Sequence, residues 1–331
     1  MSNINDAIKS YYTTVLSQIF SPDGRYLLAG TSYGEIFVFD VEAVLNPHEE
    51  VSESKQKAFL KFTADENAQV CSMASTDKFL LVGTYGKIIG YEWKYISNGK
   101  VPKVSWCITV PPSKNAIEVV EVNALEISQN GKIYSGCGDN RIHVHSLEDG
   151  KLIQSLTAHT NYIHDIAQME NEQLASAGED GHVYLWDCRT SKTVSSIEPH
   201  KESSLCRPNM GKWVGCVNVQ KDWLCCGGGP KPGLWHIGTK QLTTSFNVVN
   251  KEIHTCKMHE ERMLIGTGDK LTQFTLQGDP ICSISSSSST IYSLVVQHNQ
   301  NDLMVFAGSS ANIDFCTNFH YRDQVLTCST Q

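Results

Sequence analysis

Hydrophobic and polar positions alternate along the chain in short runs, and these runs come in pairs separated by a tight turn. The first run of a pair ends at a glycine, as in Tyr26–Asp40 (YLLAGTSYGEIFVFD) and Gln173–Asp187 (QLASAGEDGHVYLWD). Alternation with a period of two on both sides of a glycine-containing turn is typical of β-hairpins. The pattern therefore predicts pairs of antiparallel strands, and helical periodicity is nearly absent.

The hairpins repeat along the whole chain. Their glycines are separated by 39 to 53 residues, and a further apolar run precedes each hairpin. A four-stranded propeller blade takes about 40–45 residues, and a single small sheet needs neighbours to bury both of its faces. The sequence thus predicts an all-β, seven-bladed β-propeller of the WD40 type as a single domain. The glycines expected on the second strand of each blade are Gly30, Gly83, Gly136, Gly178, Gly227, Gly266 and Gly308.

The predicted propeller covers residues 13–331 and follows an N-terminal segment, residues 1–12, in which Asn5–Tyr12 is expected to form a short capped helix. Blade one begins directly at an apolar run near Val15, and Phe319–Cys328 has the β-branched and apolar content of a fourth strand. We therefore expect blade seven to be built from C-terminal residues alone. The approximate blade boundaries are 13–65, 66–115, 118–158, 159–205, 210–248, 250–287 and 288–331.

Blade four contains the polar and aromatic positions that fix a WD repeat. In such repeats a histidine, a serine, an aspartate and a tryptophan form a buried hydrogen-bonded chain, because buried polar groups need partners. The residues at these positions are His159, Ser176, Asp180 and Trp186. A catalytic triad made of the first three is the alternative interpretation. It is disfavoured because no G-x-S-x-G nucleophile elbow surrounds the serine.

Other candidate sites have only fragments of the required patterns. Zinc sites usually combine paired C-x₂₋₄-C or H-x₃₋₅-H elements, and only fragments of such a combination occur here. The triple glycine Gly227–Gly229 lacks the G-K-[ST] of a phosphate-binding loop and is expected to form a tight turn. We therefore predict no catalytic residue, no metal and no cofactor. The side chains considered as metal ligands are His143 with His145, and His254 with Cys256 and His259.

Composition narrows the class of partner and the compartment. The 27 Lys and Arg against 35 Asp and Glu give a net charge of −8, which argues against a general grip on nucleic acid phosphates. Several of the 12 cysteines lie in apolar runs, as expected for reduced thiols in the cytosol or nucleus. No run approaches the roughly 18 apolar residues of a membrane span, and Met1–Ser10 lacks the apolar core of a signal peptide.

One segment is more specific than the repeat pattern. Arg207–His236 reads RPNMGKWVGCVNVQKDWLCCGGGPKPGLWH, and HTNYIHDIAQ and SAGEDGHVYLWDCRT come just before it. Together with SQIFSPDGRYLLAGTSYGEIFVFD near the start and DFCTNFHYR near the end, this segment resembles the THO complex subunit 6 family of WD-repeat proteins. The resemblance covers nearly the whole chain. The departures are an additional Lys231-Pro232 and divergent loops at 41–69 and 97–118.

The resemblance implies a non-enzymatic scaffold in the THO part of the transcription–export complex. This assembly couples transcription and splicing to nuclear mRNA export. The expected partners are other THO subunits, the coiled-coil subunits 5 and 7, with RNA held only indirectly or weakly through the complex. No membrane or small-molecule substrate is implied, and the expected location is the nucleus, including nucleoplasm and nuclear speckles, and also the cytoplasm. The alternative is a WD adaptor of another complex, such as a ubiquitin-ligase substrate receptor or a signalling scaffold.

The best sequence candidate for contact with a partner is Pro199–Trp213 (PHKESSLCRPNMGKW). It is longer than a hairpin turn requires, and Arg and Trp are both enriched at interface hot spots. We therefore predict partner contacts at Arg207, Pro208 and Trp213, with packing at the start of a strand as the alternative for the tryptophan. Since a guanidinium is seldom buried without a partner, replacing Arg207 by Glu is expected to weaken binding and leave the fold intact.

Overall fold

The computed structural model describes residue 9 and residues 11–45, 56–66, 68–112, 119–297 and 302–330. These residues form seven sheets of four strands each, one of which has a short fifth strand. The fold is the seven-bladed β-propeller that the sequence predicts, and its strands account for most of the described chain. The helix predicted for Asn5–Tyr12 and the insertion after residue 45 lie largely outside the described residues. None of the described helices is long and apolar enough to cross a membrane.

The first compact unit comprises residues 1–107 and 284–331, and it holds blades one and seven and most of blade two. Two short helices, α1 (Val41–Leu45) and α2 (Trp93–Ile96), each follow the third strand of a blade. The strands of blade one are β1 (Val15–Phe20), β2 (Tyr26–Thr31), β3 (Glu35–Asp40) and β5 (Leu60–Thr63). The strands of blade two are β6 (Ser72–Ser75), β7 (Phe79–Gly83), β8 (Lys87–Glu92) and β9 (Val104–Thr109). The strands of blade seven are β26 (Ile291–Gln297), β27 (Leu303–Gly308), β28 (Asn312–Cys316) and β29 (Gln324–Thr330).

The four main strands of blade seven come from C-terminal residues, as the sequence predicts. Its four main strands are consecutive, and β28 pairs with β27 on one side and with β29 on the other. A short strand, β4 (Lys57–Ala58), pairs in parallel with β29. This strand comes from the insertion between β3 and β5 of blade one, so the insertion contributes a fifth strand to blade seven. The expectation that blade seven contains C-terminal residues alone is therefore wrong for its fifth strand.

The second compact unit comprises residues 108–283. Two short 3₁₀ helices, η1 (Pro199–Lys201) and η2 (Pro208–Met210), lie between blades four and five. The strands of blade three are β10 (Val122–Ile127), β11 (Lys132–Cys137), β12 (Arg141–Ser146) and β13 (Leu152–Thr157), those of blade four are β14 (Ile163–Gln168), β15 (Gln173–Gly178), β16 (Val183–Asp187) and β17 (Lys192–Ile197), those of blade five are β18 (Val214–Gln220), β19 (Trp223–Gly228), β20 (Gly233–His236) and β21 (Gln241–Ser245), and those of blade six are β22 (Ile253–His259), β23 (Arg262–Thr267), β24 (Lys270–Thr275) and β25 (Pro280–Ser285).

The repeated glycines lie on the second strand of every blade, as predicted. A Cβ on Gly136 would lie 2.8 Å from the Ile163 side chain, which begins the next blade, and a Cβ on Gly30 would lie 2.3 Å from Val70. Real Cβ atoms do not approach heavy atoms this closely, so a larger residue would push the neighbouring blade away. At these positions the glycine is therefore required by the close packing of neighbouring blades within each unit.

Polar side chains join the first strands of the second unit. Asp165 on β14 accepts a hydrogen bond from the Val217 amide on β18 at 2.9 Å, and Asn218 on β18 accepts one from the β22 backbone at 2.9 Å. Burial raises the pKa of Asp165 to about 7. Burial, together with the nearby charge of Asp165, also raises the pKa of Glu126 on β10 to about 7. Protonation of these carboxyl groups is therefore coupled to the stability of the second unit.

Candidate partner-binding surface

The four predicted residues of blade four form one hydrogen-bonded chain. His159 Nδ1 lies 3.0 Å from Asp180 Oδ1, and His159 Nε2 lies 2.7 Å from Ser176 Oγ. Trp186 Nε1 donates a hydrogen bond to the same Oγ at 2.8 Å. With Nδ1 donating to the carboxylate, Nε2 accepts a hydrogen bond from the Ser176 hydroxyl, so each of these polar atoms has a partner. Burial alone would raise the pKa of Asp180, but hydrogen bonds, led by the one from His159, hold it at about 2.

The same distances resemble those of a Ser-His-Asp triad, but the environment differs. Ser176 is fully buried, and its oxygen already accepts the indole N–H of Trp186. A nucleophilic serine needs a face from which a substrate carbonyl can approach. Here the tryptophan on β16 covers the serine on β15. The geometry therefore supports a role in holding blade four together.

Blade three has a related buried network. His143 Nε2 lies 3.0 Å from Asp139 Oδ2, and His143 Nδ1 lies 2.8 Å from Ser155 Oγ. Among the described residues, one group of side chains could hold a metal ion, and it consists of Cys137, Asp139 and His143. Their ligand atoms lie within 4.8 Å of one another. Because both imidazole nitrogens already have hydrogen-bond partners, the arrangement is explained without an ion. Burial and the neighbouring imidazole lower the pKa of His145 to about 4.

Arg207 has a different position from the one that a partner contact requires. Its side chain is buried. The guanidinium donates hydrogen bonds to the carbonyl oxygens of Gly229 at 2.6 Å, Gly228 at 2.8 Å and Lys251 at 2.8 Å. The expectation that Arg207 touches a partner directly is therefore wrong, because carbonyl groups of the glycine-rich turn and of the chain before blade six already bind its N–H groups.

Trp213 ends the predicted segment and lies directly before β18. It is half-buried, and its Nε1 donates a hydrogen bond to the Met210 carbonyl at 3.0 Å. Its ring centroid lies 6.1 Å from that of His164 on β14 and 5.2 Å from that of His254 on β22. Pro208, at the start of η2, is exposed. Part of the predicted segment is thus a rigid connection, and part of it reaches the surface.

Each of the two imidazoles beside Trp213 faces a carboxylate. His164 Nε2 lies 2.7 Å from Glu179 Oε2, and His254 Nε2 lies 3.5 Å from Glu252 Oε2. Burial lowers the pKa of His254, which favours its neutral form. The resulting order of side chains spans blades four, five and six, all within the second unit. We call these five side chains the Trp213 row: Glu179, His164, Trp213, His254 and Glu252.

Comparison with known proteins agrees with this architecture. The family model "WD domain, G-beta repeat" matches residues 150–187, which include three strands of blade four and its hydrogen-bonded chain. The chain is 36% identical over 319 residues to "THO complex subunit 6 homolog" of Danio rerio, covering 95% of this chain and 97% of the relative. The chain belongs to the THO complex subunit 6 family.

Two further members of the family show similar coverage. "THO complex subunit 6" of Drosophila melanogaster is 33% identical over 96% of this chain and 90% of its own length. "THO complex subunit 6" of Homo sapiens is 34% identical over 97% of this chain and 94% of its own length. The resemblance inferred from Arg207–His236 is therefore confirmed. WD-repeat propellers of this family point to a non-catalytic scaffold.

Proposed function

We propose that the chain is a scaffold subunit of the THO complex, without enzymatic activity, that couples transcription and splicing to nuclear mRNA export. Family membership over 95% of the chain carries this proposal. The buried Ser176 supports it, because Trp186 covers the serine oxygen of the triad-like arrangement in blade four. Rigid blades with variable connections are suited to holding several partners at fixed positions.

The proposed partners are the coiled-coil THO subunits 5 and 7, with RNA associated only indirectly or weakly through the complex. The net charge of −8 supports contact with proteins rather than with phosphates. The proposed location is the nucleus, in the nucleoplasm and nuclear speckles, with a cytoplasmic fraction. Partner contacts would be made by connections between strands, since strand residues mostly hold the blades together.

Affinity purification from nuclear extract, followed by mass spectrometry with and without nuclease, tests this proposal. We expect THO subunits 5 and 7 to be recovered in both samples, because protein contacts survive the loss of RNA. Recovery of subunits only without nuclease would indicate tethering through RNA and contradict direct scaffolding. Recovery of ubiquitin-ligase or signalling proteins in place of THO subunits would support the alternative role of a WD adaptor in another complex.

A further inference from the structure

The two imidazoles of the Trp213 row occupy equivalent positions in neighbouring blades. The register of the first strand shifts at its second residue, which is His164 in β14, Gly215 in β18 and His254 in β22. Such bulges redirect a side chain away from the regular alternation of the strand. Gly215 has no side chain to redirect, and the indole of Trp213 covers it: a Cβ there would lie 2.5 Å from Cζ3 of the indole. Three rings are therefore displayed side by side.

Negative charge lies at both ends of these rings. The side chains of Glu179 and Glu252 are 39% and 61% exposed. Lys251, next to Glu252, is paired with Asp269 at 2.6 Å, which compensates its charge locally. Tyr162, two residues before His164 in the sequence, is 46% exposed. The row therefore offers aromatic surface between two carboxylates.

The row is also held in place before any partner arrives. Arg207 fixes the start of the segment that leads to Trp213 through its bonds to backbone carbonyls. The indole N–H fixes the end of that segment through the Met210 carbonyl. A binding surface that is already ordered loses less conformational entropy when a partner binds.

We propose that the Trp213 row binds an arginine-rich segment of a partner protein. A guanidinium stacks on aromatic rings and donates paired hydrogen bonds to carboxylates, so it matches both components of the row. Lysine lacks the planar fork that stacks on rings and pairs with carboxylates through two hydrogen bonds, and a nucleic acid backbone would be repelled by the two carboxylates. This inference names a partner chemistry for the proposed scaffold and in that sense rests on the proposed function.

A peptide titration tests the row directly. The probe is an acetylated hexa-arginine peptide, added to the ¹⁵N-labelled full chain, with the Trp213 indole N–H resonance assigned by loss of that signal in Trp213→Phe. We expect saturable movement of this resonance with hexa-arginine and weaker binding of hexa-lysine. Equal binding of both peptides without movement of the indole resonance would overturn the proposal, because it would reflect only the net charge of the chain.

Charge variants sharpen the test. The double variant Glu179→Gln with Glu252→Gln is expected to weaken hexa-arginine binding roughly three- to tenfold. Glu260→Gln with Glu261→Gln removes the same charge from the exposed turn at the other end of β22, and it should bind like the wild type. Lys212→Gln removes an exposed cation next to Trp213 and should tighten binding. Unchanged binding in the first double variant would contradict the proposal.

Failure of the row and failure of the scaffold role are distinguishable. The titration reports on the row without any other THO subunit present, whereas co-purification reports on assembly. Peptide binding at the row without recovery of THO subunits would contradict the scaffold role and support the chemistry of the row. Recovery of THO subunits by a chain whose row does not bind hexa-arginine would overturn the row and support the scaffold.

Discussion

Blade four and the segment that leads into blade five both place hydrogen-bonding side chains beside a tryptophan, but with opposite consequences. In blade four, Trp186 covers Ser176, and the donors and acceptors of the hydrogen-bonded side chains bind one another inside one blade. Before blade five, Arg207 uses backbone carbonyls, and Trp213 stays half-exposed between two imidazoles. The same residue types thus stabilise a blade where they are buried and form a candidate binding surface where a bulge exposes them.

The largest expected effect comes from Arg207→Glu. The substitution places a carboxylate among the carbonyl oxygens of Gly228, Gly229 and Lys251, so repulsion is added to the loss of hydrogen bonds. Hydrogen bonds to charged groups contribute about 1.5–3 kcal/mol each, and a buried carboxylate without partners adds a further cost. We therefore expect a large fall in the free energy of unfolding, measured by urea denaturation. Lys192→Glu, the same charge reversal at an exposed position of β17, should unfold like the wild type.

This outcome replaces the expectation that Arg207→Glu weakens binding in a folded chain. If Arg207→Glu unfolded at the wild-type urea concentration, the carbonyl contacts would not stabilise blade five. Arg207 would then not hold the segment before blade five in place.

Trp186→Ala is expected to have the next largest effect. It removes a buried ring and the donor to Ser176, and cavity formation at such positions costs about 3–5 kcal/mol. Trp186→Phe keeps most of the ring and should lose about 1–2 kcal/mol. Tyr321→Ala removes an exposed ring and serves as the control. Equal thermal unfolding of Trp186→Ala and Tyr321→Ala would contradict the buried chain.

His159→Ala should have a smaller effect with a distinctive pH dependence. The substitution leaves the buried Asp180 without its strongest partner and is expected to cost about 1–3 kcal/mol at neutral pH. The pKa of Asp180 is lowered from 3.8 to about 2, so its contribution is present above about pH 4 and is lost as the pH falls through 2. The loss caused by His159→Ala should therefore shrink in acid. If the loss of stability caused by His159→Ala did not depend on pH between 7 and 2, His159 would not stabilise the fold through Asp180.

Whether a contact could be predicted from the sequence depends on whether the residue's partner is a side chain or a backbone group. The chain His159, Ser176, Asp180 and Trp186 was predictable because its members are side chains at fixed positions of a repeat. The partners of Arg207 are backbone carbonyls, which every residue type has, so the sequence does not indicate them. The Trp213 row joins residues of three blades, so no local pattern reveals it.

The fold shows the same division. The second strands were predictable from their glycines and apolar runs, since alternation and close packing act within one repeat. The pairing of β4 with β29 involves Lys57–Ala58 and the C-terminal strand, far apart in sequence. A two-residue strand has too few positions to display a period, so this pairing was missed.

The smallest expected effect concerns Glu126→Gln. The pKa of Glu126 is raised from 4.5 to about 7, so the stability linked to its protonation is complete below about pH 4.5 and is lost as the pH rises through 7. Glutamine keeps the neutral form, so the variant should be more stable by about 1 kcal/mol at pH 8, allowing for partial solvent access, and equal to the wild type near pH 4.5. Glu148→Gln, at an exposed position, should show no such pH dependence. A Glu126→Gln chain that is less stable than the wild type at pH 8 would contradict the assignment.

We propose that the chain acts by holding other THO subunits through protein contacts. Reconstitution from purified, nuclease-treated proteins tests it most directly, with size-exclusion chromatography of the chain mixed with THO subunits 5 and 7. We expect one earlier-eluting complex that contains all three proteins and survives the removal of nucleic acid. Separate elution of the chain from an intact complex of subunits 5 and 7 would contradict the scaffold role.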